Sequence, residues 1–166
     1  TNLIGNALVA LQEWPQALAQ LQDGIAAAGA DAAAMEAVLT PAVDEFLRFE
    51  SSNQLGNRRA LRPVHIGGVD LPEGALVTLC IAAANRDPAR FSEPDTLDFD
   101  RADVKHLSFG GGGHFCLGAP LARMQAHITL TTLVQRFPAM RLDDRRLDWE
   151  RYPTLRGLSS LHVHLR

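Results

Sequence analysis

Two neighbouring side chains near the end of a glycine run, His114 and Cys116 in FGGGGHFCLGAPLAR (residues 109–123), could do chemistry that most residues cannot. Three chemistries use such a run, and the first, phosphate binding, comes in two loop forms. A dinucleotide loop needs glycines at i, i+2 and i+5 after a strand, but i+5 from Gly110 is Phe115 and from Gly111 is Cys116, so no register works. The phosphate loop that ends in Gly-Lys-Ser/Thr fails too, because no Lys follows the glycines. Structural zinc needs four ligands in paired spacings. Among the six histidines only His114-x-Cys116 is a close cysteine-containing pair, His162-x-His164 is the one other close pair, and there is no CxxC or HxxxH.

The third chemistry makes Cys116 a single thiolate at the mouth of a helix. Free backbone amides and the positive end of the dipole stabilise an anion there. A lone thiolate that pushes electron density onto iron is the ligand of oxygen-activating haem. Glycines then have a purpose, since a flat macrocycle needs backbone to approach without Cβ atoms. Phe109 would shield the sulfur side, and Pro120 falls in the first helical turn, where its missing amide costs nothing.

These residues must be positioned by the rest of the chain. Leu3, Ile4, Ala7, Leu8 and Leu11 form an apolar stripe at helical spacing with no capping sequence before it, like a helix cut in the middle. Pro15 breaks that helix, and PQALAQLQ starts a second, expected to end at Gly24. Residues 25–37 are Ala-rich and read as partly helical. Pro41 is expected at a helix start, with Val43, Phe46 and Leu47 as the buried stripe of a helix ending near Phe49. From Arg59 the pattern becomes alternating or apolar, with turns at Gly67-Gly68 and Pro72-Glu73-Gly74, which predicts short strands in a hairpin-rich sheet. Residues 85–104 carry Pro88, Pro94 and many Asp without period, the mark of an ordered or functional long loop. Beyond the glycines, Leu117, Leu121, Met124 and Ile128, with Leu130, Leu133, Val134 and Phe137, make two stripes of one long helix and place it in a core. The tail offers two short strands, at 140–142 and 161–166.

Composition excludes several classes. The chain of 166 residues is 46% hydrophobic and 21% charged, enough for one substantial core. A formal charge of −3, with Lys105 the only lysine, gives no reason to expect nucleic acid. No apolar run approaches the ~18 residues that span a bilayer, and the N-terminus has neither basic flank nor small-residue cleavage site, so no membrane is expected. Two cysteines are too few for a disulfide framework and suit a reducing cytoplasm, with Cys80 expected as a small buried residue.

The glycine stretch resembles the cytochrome P450 family. Phe109, Gly110, Gly112, His114, Cys116, Gly118, Leu121 and Ala122 match its F-G-x-G-x-H-x-C-x-G-x-x-L-A signature at every position, and Arg123 continues the form found in bacterial, soluble members. The resemblance implies that Cys116 is the axial ligand of a haem b iron, and that Phe109, Gly110, Gly112 and Gly118 shape its loop. It implies that His114 and an arginine entering the sheet, Arg58 rather than its neighbour Arg59, bind the haem propionates. Glu45-Phe46-Leu47-Arg48 fits the family's Glu-x-x-Arg, which with Arg101 would form a buried charged network fixing the cysteine loop. From spacing alone Glu45 and Arg48 are an ordinary surface pair, with Asp44 competing for Arg48 at i+4. Ser52 and Pro63 depart from the pattern, standing where the family often has a proline and an acidic residue.

The resemblance runs from Thr1 to Arg166 and covers roughly the C-terminal two-fifths of a family member. The expected fold is mainly α with a small β-sheet (α+β), a single partial domain over residues 1–166. TNLIGNAL is similar to the second half of the family's long central helix, and the proton-relay threonine would fall just before Thr1, which is not assigned that role. Two functions follow. One is part of a haem-thiolate monooxygenase whose full-length form inserts one oxygen atom from O₂ into an organic substrate, with electrons from a ferredoxin-type partner. The other is a non-catalytic, self-associating fragment, with haem absent or bound without turnover.

Overall fold

The computed structural model describes residues 2–143 and 147–165, so Thr1 and Arg166, the ends of the family resemblance, lie outside the described residues. Helix α1 spans Asn2–Glu13 and α2 Pro15–Ala28, with Pro15 in the first turn of α2, as the break in the pattern predicts. Gly24 does not end α2. The helix runs one turn further and closes at Gly29, whose φ of +55° is the left-handed conformation that glycine adopts freely. Gly24 serves packing instead, because a Cβ there would lie 2.8 Å from Cγ1 of Val38. Its missing side chain lets two helices approach.

That second helix is α3, Ala32–Phe49. Pro41 lies inside it, not at its start. The start is set upstream by Asp31, whose carboxylate accepts from the amides of Ala33 and Ala34 at 2.9 and 3.1 Å. Burial of Leu39, Ala42, Val43, Phe46 and Leu47 along one face outweighs the hydrogen bond that Pro41 removes. The Ala-rich stretch between is accordingly helix on both sides of a short break.

The strands begin at Leu55, four residues before the alternation becomes clear. β1 (Leu55–Arg59) pairs antiparallel with β4 (Leu76–Cys80), and between them β2 (Val64–Ile66) and β3 (Val69–Leu71) form a hairpin. Its turn is Gly67-Gly68, both with positive φ, as a tight two-residue hairpin requires. The described strands make separate two-stranded ladders and not one sheet. A short helix, α4 (Ile81–Ala84), leads into residues 85–104, which hold no helix or strand. Helix α5 spans Ala119–Arg136 with Pro120 in its first turn. In the tail, β5 (Arg141–Leu142) pairs with β8 (Val163–His164) as expected, and β6 (Asp148–Trp149) pairs with β7 (Leu158–Ser160).

The core lies where α1, α2, α3 and α5 meet: Ala7, Leu11, Leu21, Ile25, Val43, Phe46, Ala126, Leu130 and Val134 are all buried in it, with Leu97 and Phe99 from the long loop. The expectation that α5 is buried on two sides is half right. Leu121, Met124 and Ile128 are 53%, 53% and 61% exposed, and Leu117 just before the helix is exposed as well. The other helices cover only the face that carries Ala126, Leu130 and Val134.

Candidate haem-thiolate site

The site begins with a buried cation. Arg48 and Glu45, one helical turn apart on α3, are fully buried, and Nε and Nη2 of Arg48 donate to the two carboxylate oxygens of Glu45 at 2.7 and 2.8 Å. Arg48 Nη1 donates to the carbonyls of Asn85 and Pro94 at 3.0 and 2.8 Å, and Nη2 also to that of Thr96 at 3.0 Å. All five guanidinium donors are therefore used. Glu45 in turn accepts from the Asp98 amide at 3.0 Å and pairs with Arg101 Nε at 3.3 Å. Arg101 spends its other donors on the carbonyls of Ser92, Glu93 and Thr96. The surface-pair reading is thereby corrected, and Asp44 does not compete for Arg48. A loop without regular structure is held in shape by side chains that complete its backbone bonding.

Loop shape passes to the cysteine segment through Asn85. Its buried side-chain oxygen accepts from the Leu107 amide at 2.7 Å, while Nδ2 donates to Ser51 Oγ at 2.6 Å and Ser108 Oγ at 2.8 Å. Ser108 also donates to the Leu47 carbonyl on α3. Asn85, Ser51 and Ser108 are absent from the sequence expectations. Their signal was available only as small polar residues flanking apolar ones, which is indistinguishable from turn chemistry without coordinates.

Phe109 follows Ser108 and packs against the core, and its carbonyl accepts from the Cys116 amide at 2.8 Å. Between them the chain loops through a single 3-10 turn, Gly112–His114. Gly110 and Gly112 have φ of +73° and +60°, which other residues adopt only under strain. A Cβ at Gly111, Gly112 or Gly113 would meet nothing within 4 Å, so this backbone faces open space. Cys116 precedes the N-cap of α5, Gly118, and its thiol is exposed.

Gly110 and Gly111 border a recess of about 980 Å³. Cys116, His114, Gly110, Gly111, Phe109 and Arg58 line it on the loop and sheet sides, with Leu79, Ile81, Ala84 and Leu107 as apolar wall. Arg58 and Arg59 part as alternate strand residues must. Arg58 borders the recess, whereas Arg59 donates to the Gly74 carbonyl at 2.8 Å on the hairpin side. Cys80 is exposed and lines the same recess, which overturns its expected burial: it ends β4 where the chain turns into α4, and nothing among the described residues packs over it.

A haem fits these residues. The volume is at the upper end of the range of ligand pockets, the wall is mostly apolar, the cysteines Cys80 and Cys116 both open into it, two cationic or proton-donating side chains border it, and at Gly111 the backbone leaves room that a Cβ would fill. Zinc does not fit, since no group of three or more His, Cys, Asp or Glu side chains able to hold a metal ion occurs among the described residues. No helix of the described residues is long and apolar enough to cross a membrane.

On the proximal flank Asp44, His106 and Arg123 meet. Arg123 Nε donates to Asp44 Oδ1 at 2.9 Å with Nη2 2.8 Å from the same oxygen, and His106 Nε2 lies 3.5 Å from it. Burial pushes the Asp44 carboxyl up, but the hydrogen bonds and charges of His106 and Arg123 outweigh it and hold the group below its ordinary range.

Comparison with known proteins agrees with this geometry. The cytochrome P450 family model matches residues 5–150. The biotin biosynthesis cytochrome P450 of Bacillus subtilis is 40% identical over 160 residues, 96% of this chain and 37% of that protein. The crystal structure of P450BioI in complex with a hexadec-9Z-enoic acid ligated acyl carrier protein superposes with a TM-score of 0.87 at 36% identity, covering 99% of this chain and 40% of that one. The tirandamycin C-bound P450 monooxygenase TamI gives a TM-score of 0.86 at 39% identity, covering 99% of this chain and 39% of its own. The chain thus spans about two-fifths of the length of the relatives it matches, and within that span the match is nearly complete. On sequence and on fold, the chain belongs to the cytochrome P450 family.

Proposed function

We propose that this chain carries the ligand-bearing part of a haem-thiolate monooxygenase. The observation that carries the reading is the exposed Cys116 in a recess bordered by the Gly110-Gly111 backbone, Arg58 and His114. Cys116 would hold the iron of haem b through its thiolate, and Arg58 and His114 would hold the propionates through charge-assisted hydrogen bonds. When bound, the haem supplies O₂ activation, with the thiolate as the electron-donating ligand.

The chain's own contribution is positional. Glu45, Arg48 and Arg101 hold residues 92–98, Asn85 holds Leu107 and Ser108, and the Phe109 carbonyl holds the amide of Cys116. Leu79, Ile81 and Leu107 give the recess an apolar wall for a flat apolar macrocycle. The complete protein would insert one oxygen atom from O₂ into an organic substrate in the cytoplasm, using electrons from a ferredoxin-type donor. Similar frames serve P450BioI, with its carrier-bound fatty acid, and TamI, with tirandamycin C. We therefore assign substrate choice to residues outside this span.

Titration with haemin tests the assignment. One haem per chain, with a Soret band that weakens on Arg58→Ala and His114→Ala in step with a lower affinity, supports it. Affinity unchanged in both variants would remove these two residues from the site.

A second reading is supported by the exposed stripe Leu117, Leu121, Met124 and Ile128. In it the chain covers that stripe by self-association and holds haem without turnover. Sedimentation velocity separates the two: a monomer at tens of micromolar speaks against it.

A further inference from the structure

Phe109 is enclosed by polar groups that the haem assignment does not use. The Arg123 guanidinium lies over its ring, 4.9 Å from the centroid, and the His106 ring meets it edge-on at 5.6 Å. Both of those side chains converge on one oxygen of Asp44. His106 is further fixed from behind, since its Nδ1 accepts the Ser108 amide at 3.2 Å. An Nδ1 that accepts leaves the ring proton on Nε2, the nitrogen that faces Asp44. The tautomer is thus set by the backbone of the cysteine loop itself.

We propose that Asp44, His106 and Arg123 form a positioning clamp that holds the Phe109 ring, and through the Phe109 carbonyl the amide of Cys116, against α3 and α5. The proposal rests on the reading of Cys116 as the haem ligand for its functional meaning, but not for its geometry. Three elements are tied at one carboxylate: Asp44 on α3, His106 on the loop and Arg123 on α5. A purely apolar contact would hold the ring's position but not its rotation. The contacts differ in kind, because the cation lies over the ring while the imidazole and Phe115, the latter 6.4 Å away and at 70°, meet it in T-shaped contacts. Whatever loosens Phe109 frees the carbonyl that receives the Cys116 amide 2.8 Å away, and so the posture of the backbone around the sulfur. Electron density on a ligating thiolate depends on that surrounding backbone.

Hydrogen exchange on the 166-residue chain, with the reduction potential measured after haemin loading, tests the clamp. The variants are Asp44→Asn, Arg123→Gln and Arg123→Lys. Asp44→Asn and Arg123→Gln should speed exchange of the Cys116 amide about tenfold relative to core amides such as that of Leu130, while Arg123→Lys, which keeps a cation over the ring, stays closer to the parent. In haem-loaded chains the potential should move in the same order. An unchanged Cys116 amide, or an acceleration shared equally by Leu130, overturns the clamp, and so does a potential that stays put. Should Asp44→Asn fail to fold, Arg123→Gln, which leaves the Asp44–His106 contact, decides alone. Failure of the chain to take up haem would refute the haem-ligand reading instead, and the exchange rates would still judge the clamp.

Discussion

Arg48 and Glu45 share one turn of α3, and the fork of the first holds both oxygens of the second at 2.7 and 2.8 Å in a site with no solvent contact for either side chain. The pair does not join two helices. It joins a helix to a loop, because the remaining arginine donors go to carbonyls of residues 85–96 and the carboxylate also accepts the Asp98 amide.

Removing one member should therefore be far worse than breaking a surface pair. Glu45→Ala or Arg48→Ala leaves a buried, uncompensated charge and should cost about 3–5 kcal/mol in urea unfolding. Arg101→Ala, at the partly open edge of the network, should cost less. A loss under about 1 kcal/mol for Glu45→Ala would mean that water reaches this site.

Asn85→Ala should cost about 1–3 kcal/mol, since it takes the acceptor from the Leu107 amide and removes a buried partner of Ser51 and Ser108. Hydrogen exchange should show the loss first at residues 107 and 108. Protection lost evenly along α3 would contradict a local role.

Asp44 gives a pH dependence with a defined sign. Its folded carboxyl lies below the ordinary value of 3.8, so its contribution is present above that value and lost as pH falls through the lower, folded one. The stability difference between the parent and Asp44→Asn should shrink as pH falls below about 4. Urea midpoints at a series of pH values measure it. A difference that grows as pH falls below about 4 would reverse the assignment.

What was legible in the sequence follows from how local each determinant is. The signature from Phe109 to Arg123 is contiguous, so its residues could be read before any fold was known. Pro15, Gly67-Gly68 and the paired tail strands were legible for the same reason, as backbone constraints written in single residues. Gly24 and Pro41 misled because their effect depends on partners: Val38 across a helix interface in one case, the upstream Asp31 cap and the buried face of α3 in the other. Burial of Glu45 and Arg48 was readable only through family resemblance, and Asn85 not at all, since it bonds residues over 20 positions away. Cys80 and the outer stripe of α5 went wrong for a further reason. Composition says that a residue is apolar, not whether this chain supplies something to cover it.

That stripe makes its own prediction. Replacing Leu121, Met124 and Ile128 together by Gln should leave the fold intact, because the core face of α5 carries Ala126, Leu130 and Val134. It should also lower any concentration-dependent association seen by sedimentation velocity. Cooperative unfolding lost in the triple variant would show that the stripe is structural within this chain.

If Cys116 is a thiolate ligand to haem iron, the reduced carbon monoxide difference spectrum of the haemin-loaded chain must carry its signature. A thiolate-type Soret shift that disappears in Cys116→Ser and persists in Cys80→Ser is the predicted result. A carbon monoxide spectrum of haem ligated without a thiolate, identical in parent and Cys116→Ser, would contradict it.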